Sequence, residues 1–193
     1  MGGRHYLNWC VTVPPGGGKS ACPLPTSACC LSDSEQMKLT PMSETQARAV
    51  CTWSYAPPYD IYDMGPWDLV IERGWTLGDP EVRAREMLAA VDDEGALLAY
   101  VRVSEGQGRW MLGIGLHPQQ CGRGLGPAAT ALAVREHQER APGATLWLEV
   151  RDWNLRAIRC YEKAGFEVVD TVERVTGIGP GTFVVMRRVP PPD

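Results

Sequence analysis

From Met37 onward the apolar positions switch between a strand-like and a helix-like period, and each switch marks an element. Met37-Lys38-Leu39-Thr40 reads as a short first strand. Ser43 opens a helix through Cys51, with Ser43 as N-cap and Gln46 where it closes a capping box. An aromatic, proline-containing loop follows. Arg83 to Val91 fits helix and strand equally, but Met87 to Val91 leads into the turn Asp92-Asp93-Glu94-Gly95 and then the apolar, β-branched run Ala96 to Val103, which predicts a hairpin. Arg109 to Leu116 is the next strand, and it stops at His117-Pro118 because proline cannot continue a ladder. Gly122-Arg123-Gly124-Leu125-Gly126 precedes a helix from Pro127 to Arg140, whose apolar stripe Leu125, Ala128, Ala129, Leu132 and Ala133 lies opposite Arg135, Glu139 and Arg140. Thr145 to Val150 is a strand and Asn154 to Ala164 a helix capped by Gly165. Phe166 to Val172 and Thr182 to Arg188 close the pattern around a glycine-rich connection. The alternation predicts an α/β (α+β mixed) domain, a mixed sheet with helices on its faces.

Residues 1–36 break this picture. They hold five Gly, four Pro, four Ser and only four charged side chains, with no period across Val11 to Leu31, and are expected to be a disordered N-terminal extension. Met37 is then the expected start of the functional domain, 37–193. Pro14 to Ser20 superficially resembles a P-loop, but Val13 stands where that motif requires glycine and no strand-then-helix pattern surrounds it.

The chain has 193 residues, 44% of them hydrophobic, which suits one domain with a well-buried core. A formal net charge of −4 with scattered basic residues argues against a nucleic-acid partner. No apolar run approaches the roughly 18 residues of a membrane span. Seven cysteines, an odd number without C-x-x-C spacing, predict free thiols in a reducing cytoplasm and no metal site.

Two segments carry chemistry. Closely spaced glycines at 122, 124 and 126, between a strand and a helix, let backbone N–H groups approach a phosphate at the helix N-terminus. They do not match the G-x-G-x-x-G spacing of a dinucleotide fold. Thirty residues after Gly124 comes Asn154-x-x-Ala157-x-x-x-Tyr161-Glu162-Lys163-x-Gly165-Phe166. Asn154 and Tyr161 are seven apart, so two helical turns put them on one face about 10 Å from each other.

The order His117-Pro118-x-x-Cys121 to Gly126, then Leu146-Trp147-Leu148-Glu149-Val150, then the Asn154 to Phe166 segment, resembles the GCN5-related N-acetyltransferase (GNAT) family. The resemblance is densest from Arg109 to Val169. It implies the acyl-CoA N-acyltransferase fold: a central, mostly antiparallel mixed sheet splayed after its fourth strand, Arg109 to Leu116, with helices on both faces and acetyl-CoA in the splay. Carried over by position, the main chain of Ile114, Gly115 and Leu116 pairs with the pantetheine arm. The pyrophosphate loop falls on Cys121, Gly122, Arg123, Gly124, Leu125 and Gly126. Cys121 stands where the family has Arg or Gln, although Gln119-x-x-Gly122-x-Gly124 fits a register shifted by two, and Pro127 removes one amide donor. Asn154 would touch the CoA arm, and Tyr161, a phenol with an ordinary pKa of about 10, would donate to the departing thiolate.

For the proton of the acceptor amine, some N-terminal-acetylating members use a glutamate five residues before the asparagine, and Glu149 occupies that place. An ion-paired or solvated sheet residue is an equal reading of Glu149, and His117 ranks second as base. Trp53 to Asp63, aromatic rings among carboxylates, either builds a cation-binding acceptor site or anchors a proline-rich loop to the sheet. The expected activity is acetyl transfer from acetyl-CoA to a primary amine on a small molecule or peptide, by direct attack. A noncatalytic CoA-binding regulatory module is the alternative, and the pattern leaves a homodimer open.

Overall fold

The computed structural model describes residues 10–11, 37–176 and 179–190. The strands are β1 (Cys10–Val11), β2 (Lys38–Pro41), β3 (Met87–Val91), β4 (Leu97–Gly106), β5 (Arg109–Leu116), β6 (Leu146–Arg151), β7 (Glu167–Thr176) and β8 (Gly179–Arg188). The helices are α1 (Glu44–Val50), α2 (Trp67–Glu72), α3 (Pro80–Glu86), α4 (Leu125–Arg140) and α5 (Leu155–Lys163), with 3-10 turns at Tyr59–Tyr62 and Pro118–Gln120. Sheet order is β2-β3-β4-β5-β6-β8-β7, with β1 added against β5. All pairings are antiparallel except β5 with β6 and β1 with β5.

The parallel pair makes the wedge. β5 and β6 are in register only at Trp110 with Leu146 and Met111 with Trp147. Beyond those two pairs the strands no longer bond to each other, so Leu112–Leu116 and Leu148–Arg151 face an opening in the middle of the sheet. This is the splay expected after the fourth strand of the domain. β1 enters it, with Cys10 opposite Ile114 and Val11 opposite Gly115. Within the expected extension, then, Cys10–Val11 is a two-residue strand. The rest of 1–36 lies outside the described residues.

Two apolar clusters sandwich the sheet. One packs Val101, Leu112, Ile114 and Leu148 against Ala129, Leu132 and Ala133 of α4 and Ala157 and Tyr161 of α5. The other joins Met87, Ala89 and Tyr100 to Val50 of α1, Val70 of α2 and the aromatic loop. Because β3 sends Leu88 and Ala90 one way and Met87, Ala89 and Val91 the other, all five residues are buried. A strand covered on both faces shows no alternation, which explains the ambiguity of that stretch in sequence. The ambiguous segment divides: Asp79 caps α3 by accepting from the N–H groups of Glu81 and Val82, and the chain turns to strand at Met87.

The capping box of α1 is complete. Ser43 Oγ accepts from Gln46 N at 3.2 Å, and Gln46 Oε1 accepts from Ser43 N at 2.9 Å. Such a cap contributes about 1 kcal/mol to a helix of seven residues that could not form alone. One boundary differs at the loop that matters. α4 starts at Leu125 rather than Pro127, so Pro127 is its third residue. The missing N–H costs the helix nothing there, since the first-turn N–H groups have no intrahelical partners.

Candidate active site

Gly124 ends the turn before α4 as its N-cap, with φ 84°, and Gly122 has φ 85°. An L side chain is strained at that φ, so glycine lets the main chain reverse sharply and aim the first-turn N–H groups of α4 outward. These groups and the helix dipole border a cleft of about 570 Å³. Gly122, Gly124, Leu125, Gly126 and Pro127 line one side of it, and Leu116, Tyr59 and Trp153 contribute to its walls. Four residues of the expected pyrophosphate loop, with Pro127 after them, thus line one cleft. Arg123 instead donates to Gln120 Oε1 at 3.0 Å, and Cys121 Sγ lies 3.4 Å from the His117 carbonyl and 3.8 Å from that of Leu116. The thiol turns back onto β5, and packs against both apolar clusters.

Sequence reasoning missed the opposite side of the cleft. Arg156, Arg159 and Lys163 of α5 line it together with Cys160. Their spacing along a helix is the signal that was available, because residues three, four and seven apart share a face. Arg156 and Arg159 occupy variable positions of the quoted motif, and Lys163, though named in it, carries no role there.

On β5, Gly115 sits under the Tyr100 ring, and a Cβ at Gly115 would collide with it. The Leu116 carbonyl, one of the groups expected to serve the pantetheine arm, already accepts the Tyr55 hydroxyl at 2.8 Å. Burial raises the Tyr55 pKa far above the phenol range, so this side chain remains a donor. Ile114 and Gly115, also expected at the arm, are the residues beside β1.

Asn154 is wholly buried and stands just outside α5 as its N-cap, its Oδ1 accepting from Ala157 N at 3.3 Å. Tyr161 is also buried, edge-on to Phe166 with ring centroids 5.7 Å apart. Asn154 and Tyr161 are thus both buried, the asparagine outside the helix rather than two turns along it from Tyr161, where it holds the helix start.

Glu149 is on the less buried face of β6 and forms an ion pair with Arg174 of β7 at 2.9 Å. Its carboxylate is 14% exposed, while Arg174 is 52% exposed. His117 Nδ1 accepts from Gln119 N at 3.2 Å, its ring meets Trp53 edge-on, and burial lowers its pKa. A neutral imidazole whose lone pair is already engaged is a poor proton acceptor, which favours Glu149 over His117. The aromatic loop anchors more than it exposes: Trp53, Tyr55, Tyr59 and Tyr62 are all buried, and Asp63 accepts from Tyr55 N and Ser54 Oγ. Tyr59 and Tyr62 meet Trp153, after β6, at 5.4 and 6.0 Å between centroids. Among the described residues no three His, Cys, Asp or Glu side chains gather as a metal site, and no described helix is long and apolar enough to cross a membrane.

A sheet wedged open beside a glycine turn and a helix N-terminus defines an acyltransferase-type fold with a cleft at that turn. The comparisons agree. Residues 47–166 match the model of the acetyltransferase (GNAT) family, and the chain belongs to that family. It is 33% identical over 161 residues to mycothiol acetyltransferase from Mycolicibacterium gilvum (strain PYR-GCK), covering 71% of this chain and 52% of that protein. Over 125 residues it is 33% identical to aminoglycoside N(6')-acetyltransferase type 1 from Klebsiella pneumoniae, covering 56% and 61%. The chain thus spans about half to three-fifths of the length of these relatives. Among solved structures, AAC(6')-Ib in complex with ribostamycin and coenzyme A superposes with a TM-score of 0.55 at 26% identity, covering 80% of this chain and 93% of that one. A spermidine N-acetyltransferase chimera from Vibrio cholerae and hSSAT reaches 0.62 at 16% identity, covering 80% and 95%, a likeness of fold.

Proposed function

We propose that this chain moves the acetyl group of acetyl-CoA directly onto a primary amine. The observation that carries the reading is the cleft itself: glycine-turn amides and the α4 N-terminus on one side, three cationic side chains of α5 on the other, next to the open wedge of the sheet. An elongated thioester with a phosphate-bearing end suits that combination. Arg156 Nη1, buried with no hydrogen-bond partner among the described residues, is the kind of donor such an end would satisfy.

The chemistry asks two things of the protein. An alkyl ammonium with a pKa of about 10 must lose a proton before its nitrogen can attack. Glu149 accepts that proton, directly or through a water, and its ion pair with Arg174 fixes its direction. The sulfur then departs as a thiolate, and Tyr161 supplies a hydroxyl proton to it from the inner face of α5. Asn154 and the glycine turn hold the cosubstrate, with Ile114, Gly115 and Leu116 beside its arm. Mycothiol and aminoglycoside acetyltransferases are named for small molecules, which supports a small amine over a peptide here.

A noncatalytic CoA-binding module remains the second reading, favoured by the turned-back Cys121 thiol and by β1 lying along the expected arm site. The test is release of free CoA thiol from acetyl-CoA, followed with a panel of small amines. Amine-dependent release supports the transferase. CoA binding with no release above background on any amine of the panel supports the module instead.

A further inference from the structure

Three cations share one face of a nine-residue helix, and none of them is paired with an anion among the described residues. Arg156, Arg159 and Lys163 follow one another at the spacing that stacks side chains along α5, so they repel each other unless an anion lies between them. Other arginines of the fold find carboxylates: Arg102 with Glu86, Arg140 with Glu136, Arg174 with Glu149, Arg187 with Glu167. Arg156 stands out further because its Nη1 is buried without a partner, and a buried guanidinium nitrogen left unbonded is costly. In the glycine turn, the residue that the resemblance would make Arg or Gln is Cys121, whose sulfur faces the main-chain carbonyls of Leu116 and His117. Arg123 is held by Gln120.

We infer that the phosphate charge of the coenzyme is held by Arg156 and Arg159 of α5, aided by Lys163, in place of the side chain that Cys121 lacks. The inference rests on the reading of the cleft as a CoA site. Guanidinium groups suit the task, since each can form two parallel hydrogen bonds to phosphate oxygens. The glycine turn then supplies neutral N–H donors from one side and α5 supplies compensating charge from the other.

Calorimetric titration of the full chain with CoA and with dephospho-CoA, at two salt concentrations, tests this. The R156Q/R159Q double variant is expected to weaken CoA binding by about tenfold or more, because charge-assisted bonds are lost. Its affinity should fall less steeply with salt than that of the wild type. Equal losses for CoA and dephospho-CoA assign the arginines to the pyrophosphate and support the inference, whereas a loss confined to CoA would assign them to the 3′-phosphate and overturn it. R156K/R159K should recover part of the affinity. A folded double variant that binds CoA within twofold of wild type, while the wild type binds well, would overturn this inference alone. A loss with an unchanged salt dependence would also overturn it, as a packing defect. A wild-type chain that binds no CoA would overturn the reading of the cleft as well.

Discussion

Tyr161 meets Phe166 edge-on within the core, so Tyr161→Phe keeps the ring and its packing while removing the one hydroxyl proton. Positioned acids contribute about 10² to 10⁴ in rate, and a thiolate is already a fair leaving group, which points to the low end. Turnover should fall roughly 10²-fold with little change in acetyl-CoA affinity, measured where chemistry limits the rate; wild-type turnover would reduce Tyr161 to packing. Glu149→Gln should likewise cut turnover by about 10², with the thermal midpoint little changed because the partner, Arg174, is half exposed. Wild-type turnover would assign proton removal elsewhere. Tyr161, Asn154 and Glu149 could be proposed from sequence because motif order singles them out. Arg174 could not, since its meeting with Glu149 requires β8 to lie between β6 and β7 and a register shift between Val168 and Asp170 of β7.

At the scale of elements, α4 links the site to stability. Its first turn tests the anion site: Gly126→Asp puts a carboxylate where a helix N-terminus tolerates or welcomes negative charge but where an incoming phosphate would be repelled. The variant should keep its helical circular dichroism and lose CoA affinity by tenfold or more, and unchanged affinity would move the site elsewhere. Gly126 suits this test better than Gly124, whose left-handed φ would add strain. Farther along, His137 is buried edge-on to Trp110, and burial, with the charge of Arg188 second, lowers its pKa. Between its folded value and the unfolded value of about 6.5 the unfolded chain binds more protons, so stability rises with pH there. The contribution is complete above about pH 6.5 and is lost as pH falls through that value. Urea midpoints should therefore drop on acidification below about pH 6.5, and His137→Phe should flatten the drop in part, since His117 shifts the same way. The long elements were readable from their periods. α2 was not: it has six residues, bounded by Pro66 and Gly74, too few turns for a 3.6-residue period to register.

For the molecule as a whole, the wedge between β5 and β6 is what the sheet order creates, and its edge is shared. Cys10–Val11 pairs with Ile114–Gly115, the main chain expected to meet the pantetheine arm. Net backbone hydrogen bonds are worth about 1 kcal/mol each, so a chain beginning at Met37 should bind CoA as tightly as the full chain or up to about tenfold tighter. Weaker binding would show that residues 1–36 help to build the site. Composition alone set that segment apart from the domain, yet could not reveal the pairing, because two residues carry no period. The wedge was foreseeable only through the resemblance, as nothing in the strand sequences says that the pairing of β5 with β6 stops at Met111 and Trp147.

The most direct measurement is an amide NMR titration of the full chain with CoA, since it reads the main chain on both sides of the cleft at once. The amides of Gly122 to Gly126 and of Ile114 to Leu116 should shift together and saturate at one stoichiometric concentration, with the N-terminus of α5 following. Shifts clustered on another face of the molecule, or none at saturating CoA, would contradict the account.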